Sequence, residues 1–247
     1  MGRLNKLRLF LIKYSGIWIQ RHRNLPIGCD LANDIVLRLK LPMHIVFDVG
    51  ANVGQTSIKF NNEYKHAKIF SFEPVSSTFH QLQENTRSYE RVNCNKLALG
   101  NREGTADIRL YDQRNSVLNS LNVEAMKYAG EEVETIVVTT GDKFCEINGV
   151  TEIDLLKIDT EGYEIQVLEG FDKMLSNAKI KALYCEVGFS PENKRNTFIN
   201  DLILFLYTKG YKFYGLYEVK NKSIKTSKNY GNVLFLNSKT VEDLKFV

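Results

Sequence analysis

Apolar positions in the first 40 residues recur with a helical period. Leu7, Phe10, Leu11, Tyr14 and Trp18 share one face of an expected amphipathic helix whose opposite face is basic. A second helix is expected after Asp30, with Leu31, Ile35 and Leu39 on one side and Pro42 just past its end. From residue 44 the pattern changes to short β-rich runs separated by helical stretches. The runs at 44–49 and 68–72 each lead into a helix, the first over 55–61 and the second carrying Phe79 and Leu82 inward. A third run at 93–99 precedes the turn Asn101-Arg-Glu-Gly104, and 106–111 is its expected hairpin partner. Further strands are expected at 134–139, 153–158 and 180–187. Helices follow from Tyr163 through Val167 and Leu168 to Gly170, and from Phe198 through Leu202, Phe205 and Leu206 to Gly210. Two strands, at 212–219 and 233–237, close the chain, and no internal repeat is visible.

Strands alternating with helices specify a Rossmann-like, doubly wound, mainly parallel α/β sheet with right-handed crossovers and an antiparallel C-terminal strand. A chain of 247 residues lies near the upper size for one hydrophobic core. The expected organisation is therefore a basic helical extension at 1–43 and one domain at 44–247. Ligands of such sheets bind at the carboxyl ends of the strands. The polar stretch 112–131 is long for a connection in a compact domain, and is expected to serve as lid and acceptor-recognition segment, with Ser120 as a candidate substrate contact.

Charge refines this picture. The net charge is +4, yet the first 24 residues carry six basic side chains and no acid, leaving −2 for the rest. Basicity belongs to the leader, which disfavours a nucleic-acid-binding face on the domain. The leader suits either a cap on a core or a peripheral contact with an anionic membrane surface. Its longest uninterrupted apolar run, Leu9-Phe-Leu-Ile12, is far short of the ~20 residues that cross a bilayer, so a cytoplasmic location is expected. Cys29, Cys94, Cys145 and Cys185 form no CxxC pair, and the four histidines are dispersed, so neither a zinc site nor a disulfide framework is expected.

The candidate chemistry gathers at strand ends. Gly50, Asn52 and Gly54 form a turn between the run at 44–49 and a helix opened by Gln55 and Thr56. Glycine lets backbone approach a ligand closely, and a helix N-terminus offers free N–H donors. The third glycine of a dinucleotide fingerprint is missing, and Asp48 stands two residues before the first glycine. An anion there repels a pyrophosphate but suits the ammonium and sulfonium of S-adenosylmethionine. Glu73, followed by Pro74, ends the next strand, where a carboxylate can accept both ribose hydroxyls of an adenosine. Leu97 and Ala98, in the third run, are the residues expected beside the adenine.

Strand alternation puts Lys157 and Asp159 on one face, with Asp159 at the strand end and Glu161 in the turn beyond. Asp159 is the first candidate for the base that accepts a substrate proton, with Glu161 and Lys157 as its companions and Glu186 as a weaker carboxylate on the acceptor side. His44 lies at the opposite end of its strand and His80 lies down a helix, so a histidine base is not expected. Asp159 and Glu161 are oxygen ligands of the type magnesium takes, but no third is evident, and no metal is expected. Two alternatives compete. An NAD(P)-dependent oxidoreductase is disfavoured by the missing glycine and by Asp48, and a non-catalytic binding module by the carboxylates beside the pocket.

Five stretches in order carry a family resemblance: Asp48-Val-Gly-Ala-Asn-Val-Gly-Gln55, Phe72-Glu-Pro74, Ala98-Leu-Gly100, Asn119-Ser-Leu121 and Leu156-Lys-Ile-Asp-Thr-Glu-Gly-Tyr-Glu164. Together they resemble the FkbM family of S-adenosylmethionine-dependent methyltransferases, over residues 44–189. That resemblance implies O-methylation of hydroxyls on sugars of glycans and glycolipids or on polyketide-type natural products. One departure is Thr160, where hydrophobic residues or glutamine are also common in the family.

Overall fold

The computed structural model describes residues 10, 13–15, 25–110, 132–220 and 229–244. Leu7, Leu11 and Trp18 of the leader, Ser120, the Asn119-Ser-Leu121 motif and the expected lid at 112–131 lie outside the described residues. The strands are β1 (Ile45–Val49), β2 (Lys68–Phe72), β3 (Val92–Asn95), β4 (Ala98–Leu99), β5 (Gly104–Arg109), β6 (Val133–Thr139), β7 (Ile153–Ile158), β8 (Ile180–Gly188), β9 (Tyr211–Lys220) and β10 (Tyr230–Asn237). The helices are α1 (Gln55–Glu63), α2 (Ser76–Thr86), α3 (Gly141–Asn148), α4 (Glu164–Glu169), α5 (Asp172–Ser176), α6 (Ile199–Thr208) and α7 (Ser238–Asp243).

Seven strands form the main sheet in the order β3-β2-β1-β7-β8-β10-β9. The first five pair in parallel, while β10 runs antiparallel to both β8 and β9. This is the Rossmann-like arrangement that the alternating pattern specifies. Strand alternation sends Phe47, Phe72 and Leu156 to one face, where Phe144 of α3 and Phe171 complete a core. The Phe72 and Phe144 rings meet edge-on with centroids 4.8 Å apart. Val46, Ile69 and Leu155 point to the other face, beneath Phe60 of α1.

Leu31, Ile35, Leu39, Leu41 and Met43 join this second core, so the described part of the extension packs directly on the sheet. Its helix differs from the expected one in its winding: Asn33–Arg38 is a π-helix, in which the Leu39 N–H donates to the Asp34 carbonyl five residues back. The Asp34 carboxylate is fully buried and needs donors. It accepts from the Gly28 N–H at 2.9 Å, Arg38 Nε at 2.9 Å and the Tyr217 hydroxyl at 2.7 Å.

The expected hairpin between 93–99 and 106–111 is corrected. The first run divides: β3 extends the main sheet beside β2, and the chain leaves it at Lys96 to form β4. A separate three-stranded sheet has the order β4-β6-β5. There β6 uses both its edges, pairing parallel with Ala98 and Leu99 and antiparallel with Gly104 to Arg109, so β5 has β6 as its partner. Three helices absent from the hydrophobic pattern, α3, α5 and α7, are fixed by polar caps, the last by Asn237 Oδ1, which accepts the Thr240 N–H. Thr140 Oγ1 accepts the Lys143 N–H at the start of α3, and Asp142 accepts the Lys173 and Met174 amides at the start of α5. Among the described residues no helix is long and apolar enough to cross a membrane.

At the amino ends of the strands, buried Asp154 of β7 accepts from the His44 and Ile45 amides at 2.7 and 2.8 Å and from Lys181 Nζ at 2.6 Å. Replacing it by alanine strands these donors. Asp154→Ala is expected to lower unfolding free energy by about 3 kcal/mol in urea denaturation. An effect within ~0.5 kcal/mol, typical of surface substitutions, would show that this pin contributes little.

Candidate active site

Parallel pairing sets Ser71 of β2, Asp48 of β1 and Lys157 of β7 side by side in one buried row. Lys157 Nζ lies 2.9 Å from Asp48 Oδ1, donates to the Gly50 carbonyl at 3.1 Å and stands 3.7 Å from Asp159 Oδ2. Ser57 Oγ of α1 donates to Asp48 Oδ2 at 2.6 Å and lies 2.7 Å from Ser71 Oγ. Sequence alone pointed Asp48 at a cationic ligand. The fold instead commits it to Lys157 and Ser57, behind the cavity wall.

Gly50 turns the chain out of β1 with φ 74°, and a Cβ there would fall 1.9 Å from the Asp159 carbonyl oxygen. Only glycine lets the ends of β1 and β7 come this close. Gly54 serves packing. A Cβ there would press on Leu82 and Thr86 of α2 at 2.9 and 3.0 Å, and Gly54 stays off the cavity wall that it was expected to line.

The cavity measures about 360 Å³ and opens over the carboxyl ends of β1, β2 and β7. Of the residues singled out in the sequence, Gly50, Asn52, Gln55, Thr56, Glu73, Pro74, Leu97, Ala98, Lys157, Asp159 and Glu161 line it. Phe72, Val75, Leu99 and Ile108 extend its apolar wall, and Tyr163 adds a phenol. Glu73 is fixed at both oxygens: Oε2 accepts the Asn52 N–H at 3.1 Å and Oε1 the Val75 N–H at 3.0 Å. Asn52 Oδ1 is buried without a hydrogen-bond partner among the described residues. An apolar slot beside a rigid carboxylate, a helix N-terminus and an unsatisfied amide oxygen fits an adenosine-bearing donor.

The carboxylates Asp159, Glu161 and Glu186 converge, each with an oxygen within 4.8 Å of the others. Glu186, expected as a weaker carboxylate on the acceptor side, therefore joins the pair from beside the cavity, a convergence of three oxygen groups that the sequence did not reveal. Arg195, which sequence reasoning missed, binds both oxygens of Glu161, with Nε 2.6 Å from Oε2. Asn196 Nδ2 donates to Glu186 Oε2 at 2.6 Å. The turn after β7 is held by buried Glu164, whose Oε1 accepts the Thr160 and Gly162 amides at 2.9 and 3.2 Å. The available signal for Arg195 was its place in the loop after the carboxyl end of β8.

Burial pushes the Glu73 carboxyl up to about 7, against the opposing pull of the Val75 and Asn52 amides. Burial also lifts Glu161 to about 7, with Arg195 opposing, and Glu186 to about 9, where the charges of Asp159, Glu161 and Glu164 add to it. For Lys157 burial acts against the charge, but Asp48 and Asp159 outweigh it and hold the ammonium above its usual range. A carboxyl raised from 4.5 to about 7 on folding costs nothing while protonated in both states, and its cost grows as pH rises through that window. Glu73→Gln is therefore expected to gain thermal stability relative to the parent chain between about pH 5 and about pH 8. A difference in melting midpoint that stays constant with pH would show that Glu73 does not titrate there.

Residues 48–213 match the family model of the methyltransferase FkbM domain. The 31-O-demethyl-FK506 methyltransferase FkbM of Streptomyces tacrolimicus is 28% identical over 171 residues, covering 58% of this chain and 64% of that protein. The hexuronic acid methyltransferase AglP of Haloferax volcanii is 27% identical over 150 residues, covering 60% of this chain and 59% of that one. The chain thus spans about three fifths of the length of these curated relatives. A solved SAM-dependent methyltransferase from Aquifex aeolicus superposes with a TM-score of 0.48 at 13% identity, covering 85% of this chain and 91% of that one. The matched segment runs from Asp48 through the Glu73 and Asp159 turns to β9, and the chain belongs to the FkbM family of S-adenosylmethionine-dependent methyltransferases.

Proposed function

We propose that the chain methylates a hydroxyl oxygen of a sugar or glycan, a glycolipid or a natural product, with Asp159 as the proton acceptor. The main support is the placement of two carboxylates on opposite sides of the β1 turn. Glu73 at the end of β2 is clamped by backbone amides, while Asp159 at the end of β7 lines the cavity with a side chain 36% exposed. Glu73 accepts the ribose hydroxyls, Leu97 and Ala98 flank the adenine, and Asn52 with the first turn of α1 receives the methionine portion. S-adenosylmethionine supplies the methyl group: a carbon–oxygen bond forms as the carbon–sulfur bond breaks and its electron pair leaves with sulfur. Asp159 takes the proton released from the acceptor hydroxyl. Holding the reactants in line contributes roughly 7–11 kcal/mol, and the base about 10²–10⁴-fold.

The names of the relatives specify a hexuronic acid and 31-O-demethyl-FK506, which supports a small-molecule or glycan acceptor bearing hydroxyls. Cys29, Cys94, Cys145 and Cys185 are all free thiols, which supports a reducing, cytoplasmic location. The basic leader then suits contact with the inner membrane face.

Calorimetric titration of the full chain is expected to show binding of S-adenosylhomocysteine and none of NADH. Asp159→Asn should leave that binding unchanged and reduce radiolabelled methyl transfer into a cell-envelope glycan extract by about 10²–10⁴-fold. Full turnover in the variant would remove Asp159 as the base. Preference for NADH would remove the whole assignment.

A further inference from the structure

Three consecutive residues of the loop 189–198, between β8 and α6, each hold a different acid. Arg195 forks the two oxygens of Glu161, Asn196 donates to Glu186, and the Thr197 hydroxyl donates to Glu164. The loop is itself braced: Asn193 Nδ2 donates to Asn196 Oδ1 at 2.9 Å, and the Gly188 amide donates to the Thr197 carbonyl at 2.9 Å. Asp159 stands among these acids facing Lys157, whose Nζ lies 3.7 Å from its Oδ2, and the cavity. We propose that Arg195 is a positioning residue for methyl transfer: by forking Glu161 it withdraws that carboxylate from the acceptor's proton and leaves Asp159 to receive it.

The proposal rests on the assignment of Asp159 as base given above. Its physical need is clear from the crowding. Asp159, Glu161 and Glu186 have oxygens within 4.8 Å of one another, and like charges at that range force protons to be retained. The groups facing Glu161 are Asp159 from the turn after β7, Glu164 from α4, Glu186 from β8 and Arg195 from the loop, while Lys157 of β7 faces Asp159. Tyr230 of β10 faces Arg195 in turn. Arg195 reaches both oxygens of Glu161, and a planar fork fixes the direction of the carboxylate as well as its charge. A Glu161 released from it is free to take up a proton and to turn toward Asp159, competing for the acceptor hydroxyl.

The test uses the full chain labelled with carbon-13 at the glutamate carboxyls and titrated by NMR, with the two signals assigned through E161Q and E186Q. R195Q is expected to raise the Glu161 midpoint by about 1–3 pH units. R195K keeps the charge but loses the fork, so it should move the midpoint by less, and it is the variant to read if R195Q does not fold. The pH profile of radiolabelled methyl transfer into the envelope extract should move with the Glu161 midpoint, while S-adenosylhomocysteine affinity stays unchanged. A Glu161 midpoint that does not move in a folded variant overturns the proposal, as does a moved midpoint with an unmoved activity profile. Failure of the parent chain to bind S-adenosylhomocysteine would instead sink the methyl-transfer reading, and the titration reads Arg195 without that ligand.

Discussion

The site depends on one buried ion pair, Lys157 with Asp48. At 2.9 Å and an effective dielectric of about 20, their gross attraction is about 6 kcal/mol, set against a desolvation cost of several kcal/mol for each ion. The pair therefore does little for net stability. Its effect is to fix geometry. Because Asp48 and Lys157 are direct register partners on β1 and β7, the ammonium can also reach the Gly50 carbonyl and approach Asp159. The glycine turn and the proposed base are thus held by the same cation. Ser57 and Ser71 satisfy the rest of this polar row, tying α1 and β2 to it. Three strand ends and a helix start are located by contacts that an apolar row could not direct.

This arrangement changes where the cavity gets its negative field. Asp48 is paired with Lys157 inside the sheet and Glu161 with Arg195, so the carboxylates on the wall without so close a cation are Glu73 and Asp159. These acids are not equivalent. Glu73 accepts from two backbone amides, Glu161 from a guanidinium, and Asp159 faces the more distant Lys157 at 3.7 Å. On the proposed reading the first serves as a binding group, the second as a structural anion, and the third as the base. Identical side-chain types acquire different roles through what already holds them.

Much of this was legible in the sequence because period and glycine placement are local signals. The interior strand at 153–158 is found with those bounds, and the turns at Gly50, Glu73 and Asp159 fall at strand carboxyl ends as the alternation requires. What escaped depends on register or on long loops. The partner of β5 could not be read because β6, which pairs with both β4 and β5, lies beyond the long polar stretch. The role of Asp48 was misjudged because its charge was weighed against a ligand before its strand neighbour was known, although equal depth on adjacent strands puts Lys157 opposite it. Gly54 looked like part of a ligand cradle, yet its constraint comes from α2, packed against it by the tertiary fold. Arg195 is 34 residues from Glu161 and shares no local pattern with it.

Backbone strain marks the same two edges of the site. Asn52 and Glu161 are non-glycine residues in the left-handed region, with φ of 48° and 54°, and both line the cavity. Such a conformation costs an L-residue of order 1–3 kcal/mol and survives only where its surroundings insist on it. At Asn52 the insistence comes from the Glu73 carboxylate, which accepts the residue's N–H. At Glu161 it comes from both sides: Arg195 takes the side chain, while Glu164 binds the amides of Thr160 and Gly162 flanking it. A strained turn with a carboxylate on it is stable here because another buried acid, Glu164, supplies the acceptor for its amides. The crowding of acids around Asp159 is thus partly a consequence of shaping the turn, and the loop cation is what makes that crowding tolerable.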